Sequence, residues 1–225
     1  ATPILLLLVY NFVFGVIFQA RAPDLDVPFV AWLAVALWPW LAFSDGVLKG
    51  SEAIKKHSEL IAKVAVPRAL LTMSIQTAAF VLQLIGYLVV LSALALLGVE
   101  LTLIGLPYAL LVLATLFALS LGLALLASAV QVFVRDLEQL LPTLMMFWFF
   151  LTPILYAPEL LPEDMRFLLQ LNPMAWWMEE IRSALFHGKA LPDLGFVPLL
   201  AGALLAVWVG KLVFDRLSPH FEDFL

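Results

Sequence analysis

Long runs without a single charged side chain constrain this chain more than any other feature. Residues 1–20, 27–44, 69–99, 101–134, 139–158 and 194–210 each lack Asp, Glu, Lys and Arg. Crossing about 30 Å of hydrocarbon takes roughly 20 apolar residues wound as a helix. Hydrocarbon offers backbone groups no water, so a spanning segment must be a helix or part of a closed barrel. The runs show no alternation of polar and apolar residues, so they are read as helices. Over the whole chain 64% of residues are hydrophobic and 13% charged, whereas soluble domains carry about 25% charge. The expected fold is all-α: a polytopic membrane protein forming one domain over 1–225. Its six spans are drawn at about 1–20, 27–48, 69–97, 103–133, 138–157 and 194–214, with a re-entrant helical hairpin before the last.

Six spans put both termini on one side. The loops 45–68 and 135–138 and the tail 211–225 carry Lys49, Lys55, Lys56, Lys63, Arg68, Arg135, Lys211 and Arg216. The opposite loops carry Arg21, Arg166, Arg182 and Lys189. Basic residues favour the cytoplasmic side, so the first set and both termini are placed inside. The segment 159–193 then lies outside.

That outer segment is too apolar for an ordinary loop and too charged to cross. It divides at Asn172-Pro173. Pro162-Glu163-Asp164 reads as one helix start, and Asn172 as the cap of a second, with Pro173 at its first position. Gly188 reads as the stop. Trp177, Ile181, Ala184 and Leu185 share one helical face, and Glu179 and Arg182 are spaced to pair on another. The spacing leaves two forms open for 162–188: a hairpin dipping into the outer leaflet, or an amphipathic hairpin lying flat on it.

On the inner side, "KGSEAIKKHSELIAKVAVPR" (49–68) reads as a helix over 51–64. Ser51 is its expected cap and Pro67 its end. Ala53, Ile54, His57, Leu60, Ile61 and Val64 fall on one side, and lysines mostly on the other. It is either a surface helix resting on anionic headgroups or a docking helix for a cytosolic partner.

Groups that could carry chemistry are sparse. His57, His187 and His220 are dispersed, so no metal site is expected. Neither Gly188-Lys189 nor Gly210-Lys211 belongs to a phosphate-binding P-loop, so no nucleotide site is expected. The spans lack the internal acids that proton-coupled carriers keep. They hold aromatics instead. Tyr10, Phe14 and Phe18 share one face of the first span, Trp32, Trp38 and Trp40 lie in the second, and Phe147-Trp148-Phe149-Phe150 in the fifth. Pro142 and Pro153 flank that cluster and are expected to kink the fifth helix. Such rings form lipid-facing belts or core, or they line a path for a sugar-like cargo. Tyr10, Phe14, Phe18 and Trp148 are the candidates for such a lining.

Arg135-Asp136-Leu137, Thr152-Pro153-Ile154-Leu155-Tyr156, Leu161-Pro162, Asn172-Pro173 and Arg182 together form a pattern. It resembles the membrane subunits of ABC-2-type exporters, above all those that export polysaccharides: O-antigen (the Wzm type), capsule and teichoic acid. The resemblance covers nearly the whole chain, with its most specific block at Arg135–Arg182. It implies a non-enzymatic permease subunit without a cofactor of its own, ATP and Mg being held by a partner. It implies a homodimer binding two copies of a cytosolic nucleotide-binding ATPase subunit, an undecaprenyl-linked polysaccharide as cargo, and the cytoplasmic (inner) membrane as location. Residues 51–64 would be the coupling helix, with Ser51, Ile54, His57, Leu60 and Ile61 facing the ATPase. The 162–188 hairpin would be the outer gate, with Asn172, Pro173, Trp177, Glu179 and Arg182 as its key residues. Arg135 either meets the ATPase or anchors the bend at the membrane surface. The family's amphipathic helix ahead of the first span has no counterpart here, so a cytoplasmic segment is expected before residue 1. A drug or another lipid-like small molecule remains the alternative cargo.

Overall fold

The structure is a computed structural model describing residues 2–18, 27–59 and 67–224. All its regular elements are helices. Helix α1 (Thr2–Tyr10) continues as a π-helix (Asn11–Ile17). After it come α2 (Phe29–Ser51), α3 (Ala53–Lys56), α4 (Arg68–Leu96), α5 (Leu106–Phe133) and α6 (Leu137–Leu151). Last come α7 (Phe167–Leu171), α8 (Pro173–Phe186) and α9 (Phe196–Leu217). Short 3₁₀ turns join them.

Among the described residues, four helical stretches are long and apolar enough to cross a membrane: Phe29–Ser51, Arg68–Leu96, Leu103–Phe133 and Phe196–Phe221. They coincide with the second, third, fourth and sixth expected spans. Pro3–Ile17 and Leu137–Leu151 are apolar but shorter, where the first and fifth spans are drawn. The fifth helix stops at Leu151 rather than near 157. Pro142 lies inside it, whereas Pro153 lies beyond its end. A proline cannot continue the ladder, so Pro153 marks a stop and not a kink.

The chain divides into two compact units. The first comprises Ala1–Leu41, Gln83–Leu113 and Phe147–Leu199. Its centre is the start of α2, where every residue from Ala31 to Trp38 is at most 2% exposed. Pro39 sits inside α2 and has no N–H, so the carbonyl of Val35, four residues back, loses its helical donor. The Tyr87 hydroxyl of α4 donates to that oxygen at 2.9 Å, which satisfies it where water is scarce. Gly86 lets α4 approach the Trp38 indole, since a Cβ there would stand 3.0 Å from Nε1.

The second unit comprises Ala42–Leu82, Ala114–Met146 and Leu200–Leu225. Its core gathers Ile54, Leu125, Ala129, Val132, Phe214 and Phe221. Small residues bring its helices close. A Cβ on Gly122 would stand 2.2 Å from the Ala206 carbonyl carbon, and one on Gly210 2.1 Å from the Gly122 oxygen. Buried polar pairs reinforce the packing. Gln76 Nε2 donates to Ser120 Oγ at 3.2 Å, and Ser120 donates to the Phe43 oxygen at 3.1 Å. Hydrogen bonds of this kind act as glue between helices in lipid.

Candidate functional site

Helix α8 is tied to the rest of the first unit at both of its ends. Its start follows from local sequence: Asn172 has extended backbone, Pro173 takes the first helical position, and the Asn172 side chain accepts from the Met174 N–H at 3.1 Å. The expected cap is therefore present. Asn172 does more than cap. Its Oδ1 also accepts from Trp148 Nε1 at 2.8 Å. Its Nδ2 donates to the Leu151 oxygen and to Thr152 Oγ1, both at 3.1 Å. An asparagine amide has two donors and one oxygen acceptor, and all of them are engaged. The last carbonyls of α6 have no helical partner of their own; Asn172 supplies one.

Arg182 continues the same task one residue range further on. It is 3% exposed. Its Nη1 donates to the Pro153 oxygen at 2.8 Å and its Nη2 to the Ile154 oxygen at 3.4 Å. The guanidinium lies 3.5 Å from the ring centroid of Trp32 on α2, within the range of a strong cation–π contact. Among the described residues its Nε has no hydrogen-bond partner. The expected pairing with Glu179 is corrected here. Arg182 turns inward to the carbonyls exposed at Pro153, while Glu179 is exposed. Trp177 is buried beside it.

The far end of α8 is held by the segment before α5. Thr102 N donates to the Leu185 oxygen at 2.8 Å and Thr102 Oγ1 to the Phe186 oxygen at 3.3 Å. Gly105 makes the approach feasible, because a Cβ there would lie 1.7 Å from the Ala184 oxygen. Gly188 follows with φ +67°, the left-handed conformation expected of a helix stop. The first arm of the hairpin is less regular than expected. It consists of a 3₁₀ turn (Glu163–Met165) and the five-residue α7.

A charged cluster that spacing did not reveal sits beside α8. Tyr108 donates to Glu180 Oε2 at 2.6 Å, and Lys189 Nζ lies 2.7 Å from the same oxygen and 2.9 Å from Asp193 Oδ2. Partial burial pulls the Lys189 ammonium down. Its hydrogen bonds to Glu180 and Asp193 outweigh that, and its pKa ends above the ordinary lysine value. The bond to Lys189 holds the Asp193 carboxyl below the usual aspartate value. Glu180 and Lys189 are nine residues apart, beyond any helical rule, so only the fold reports the pair.

The aromatic trio of the first helix comes together as spaced. Tyr10 and Phe14 are 6.5 Å apart between ring centroids, Phe14 and Phe18 5.7 Å. Tyr10 stacks on Phe149 at 5.7 Å, and Phe149 and Trp148 both meet Trp40, at 5.7 and 6.0 Å. Phe18 is largely exposed, Tyr10 and Phe14 partly so. The π-helix under these rings bonds i to i+5, as in Phe18 N to the Val13 oxygen. Such segments are rare and frequent at functional sites.

The second unit contains the expected docking segment as far as Glu59. Ser51 is corrected: it closes α2, its hydroxyl donating to the Leu48 oxygen at 2.8 Å. Glu52 precedes α3 without a side-chain cap. Ile54 is fully buried in the unit's own core, so it anchors the segment from within and offers nothing to a partner. His57 Nδ1 lies 3.0 Å from the Ala53 oxygen. Lys55 pairs with Glu138 at the start of α6. Leu60 and Ile61 lie outside the described residues. Among the described residues no group of three or more His, Cys, Asp or Glu could hold a metal ion.

The long apolar helices define the class: a multi-pass membrane protein. Residues 1–186 match the family model of the ABC-2 type transporter, and the chain belongs to that family. It is 29% identical to the O-antigen export system permease protein RfbA of Myxococcus xanthus, over 98% of this chain and 84% of that protein. It is 24% identical to a protein of the same name from Klebsiella pneumoniae, over 100% of this chain and 85% of the relative.

Proposed function

We propose that this chain is the channel-forming membrane subunit of an ATP-driven transporter exporting a lipid-linked, O-antigen-like polysaccharide across the cytoplasmic membrane. The family match over residues 1–186, with full-length similarity to two O-antigen export permeases, carries the reading. Two copies would form the channel, and each would bind one cytosolic ATPase subunit that holds ATP and Mg. All six helices would span, with both termini inside. The segment 51–64 would transmit ATPase motion through its ion pair with Glu138 and its buried anchor Ile54. Tyr10, Phe14, Phe18 and Trp148 would line the path, their apolar faces giving a polymer weak, sequence-tolerant contacts. The hairpin 162–188 would narrow the outer mouth.

Purification from native membranes tests this directly. An ATPase subunit and an undecaprenyl-linked glycan are expected to come along. Leu60→Asp with Ile61→Asp is expected to release the ATPase while the chain still inserts. Co-purification of a drug efflux partner with no glycan, or an ATPase retained by the double variant, would overturn the assignment or its coupling segment respectively.

A further inference from the structure

Trp176 is the exposed aromatic residue of α8, and none of the ties described above uses its side chain. Its neighbour Trp177 is buried, yet Trp176 is 38% exposed. Two hollows meet at its indole. One, of about 280 Å³, is lined by Gln170, Trp176, Glu179 and Glu180 together with Pro158 and Gly195. The other, of about 150 Å³, is again lined by Gln170 and Trp176, with Leu171, Pro173 and Pro198.

The chemistry of the wall is mixed in a particular way. The indole presents a flat apolar face. The Gln170 amide can both donate and accept, and the Glu179 carboxylate accepts only. Glu179 has no hydrogen-bond partner among the described residues. Glu180, by contrast, is committed to Tyr108 and Lys189 and forms a fixed wall. A flat apolar platform edged by an amide and a carboxylate matches a pyranose ring, with its apolar C–H face and rim of hydroxyls. Both hollows are smaller than the roughly 300–1,000 Å³ of sites for drug-sized ligands, so each suits a single sugar ring. The surrounding charge narrows the class. Between residues 159 and 193 stand Glu159, Glu163, Asp164, Glu179, Glu180 and Asp193, against Arg166, Arg182 and Lys189. An acidic rim repels a polyanion.

We infer that the paired hollows at Trp176 form a glycan subsite that takes neutral or amino-bearing pyranoses and disfavours uronates. Two successive rings of one chain would sit on either side of the indole. This inference rests on the polysaccharide reading given above and refines its substrate class.

The test uses the full chain with its ATPase partner in lipid nanodiscs, titrated with maltohexaose or with hexagalacturonate, binding being read by saturation-transfer NMR. Maltohexaose is expected to bind at least tenfold more tightly than hexagalacturonate. Trp176→Leu is expected to weaken maltohexaose at least tenfold. Gln170→Ala with Glu179→Gln, both at the surface, is expected to weaken maltohexaose and narrow the gap to hexagalacturonate. Absence of maltohexaose binding, unchanged binding in both variants, or equal affinity for the two probes would overturn the subsite. Glycan export in cells is followed in parallel. Export without the binding pattern removes the subsite alone, whereas the binding pattern without export leaves the subsite and removes the transport reading.

Discussion

Asn172→Ala is the change whose consequences the structure defines best. It deletes the α8 cap, which is worth about 1 kcal/mol. It removes the 2.8 Å acceptor of the half-buried Trp148 indole N–H, and a hydrogen bond contributes about 0.5–1.5 kcal/mol net. The other two partners suffer less. The Leu151 oxygen keeps the Tyr156 hydroxyl at 3.2 Å, and Thr152 Oγ1 keeps the Trp148 oxygen at 2.8 Å. The expected loss is therefore about 1.5–2.5 kcal/mol, measured by reversible unfolding in mixed micelles. Asn172→Asp separates the two roles of the residue. Aspartate caps helices as well as asparagine does, but it cannot donate to Leu151 or Thr152. If bridging to α6 matters, the Asp variant stays well below wild type; full recovery would show that only the cap counts. A double-mutant cycle with Trp148→Phe then isolates the side-chain bond. Cycles in lipid-embedded helices average about 0.6 and reach about 1.7 kcal/mol. A coupling of about 0.6–1.5 kcal/mol is expected. Additivity within about 0.3–0.5 kcal/mol, the usual result for independent sites, would refute the bridge.

Gly105→Ala forces a Cβ to 1.7 Å from the Ala184 oxygen; overpacking costs about 1–3 kcal/mol or more, and a thermal-unfolding midpoint equal to wild type would contradict the close approach. Arg182→Lys keeps the charge but loses the planar stack on Trp32 and the two-pronged reach, so a loss of about 2 kcal/mol is expected, and Trp32→Leu made in that background should cost less than it does in wild type. The loop 187–195 is expected to be tightest at intermediate pH, as read by hydrogen exchange. The raised Lys189 pKa contributes fully below the ordinary lysine value and is lost as pH rises through the higher folded value. The lowered Asp193 pKa contributes above the ordinary aspartate value and is lost as pH falls through the lower folded one. Lys189→Met should abolish the alkaline limb. Spin labels near Tyr156 and Ser183 should hold one distance through the transport cycle, while labels near Leu101 and Ser183 change; a varying first distance would show that α8 does not travel with the end of α6.

The helices were legible because span length is a one-dimensional property: a charge-free run either reaches across hydrocarbon or falls short. The corner at Asn172 was legible because capping involves only residues 172–174. What spacing missed is long-range. Glu179 stands at the right offset from Arg182, yet the guanidinium found the Pro153 and Ile154 carbonyls, which lack helical donors because α6 ends at Leu151. Ser51 reads as a cap in isolation. In the fold α2 runs on to it, because its hydroxyl bonds back to Leu48 and the residue is enclosed. The 3.6-residue period also hid the π-helix at Asn11–Ile17, since Tyr10, Phe14 and Phe18 meet in either winding.

The ties on α8 are unequal, and that inequality says which way it can move. Asn172 and Arg182 give the end of α6 five hydrogen bonds, counting the indole of Trp148. The α5 side gives α8 three: two from Thr102 and a charge-assisted one from the Tyr108 hydroxyl to Glu180, and Trp32 adds one cation–π contact. Each net hydrogen bond is worth about 0.5–1.5 kcal/mol, and those to a charged group about 1.5–3. Tearing α8 from α6 would also leave a buried guanidinium facing no acceptor, the costliest outcome among these. Sliding it past Thr102 breaks the Tyr108 bond, but the Glu180 carboxylate keeps Lys189 at 2.7 Å, and the Thr102 groups lie near a turn whose Gly98 already takes φ +85°. A helix held this way follows its stronger neighbour. If α8 narrows the outer mouth as proposed, the barrier to its motion would sit at its contacts with Thr102, Gly105 and Tyr108, and the Asn172–Arg182 side would act as the handle.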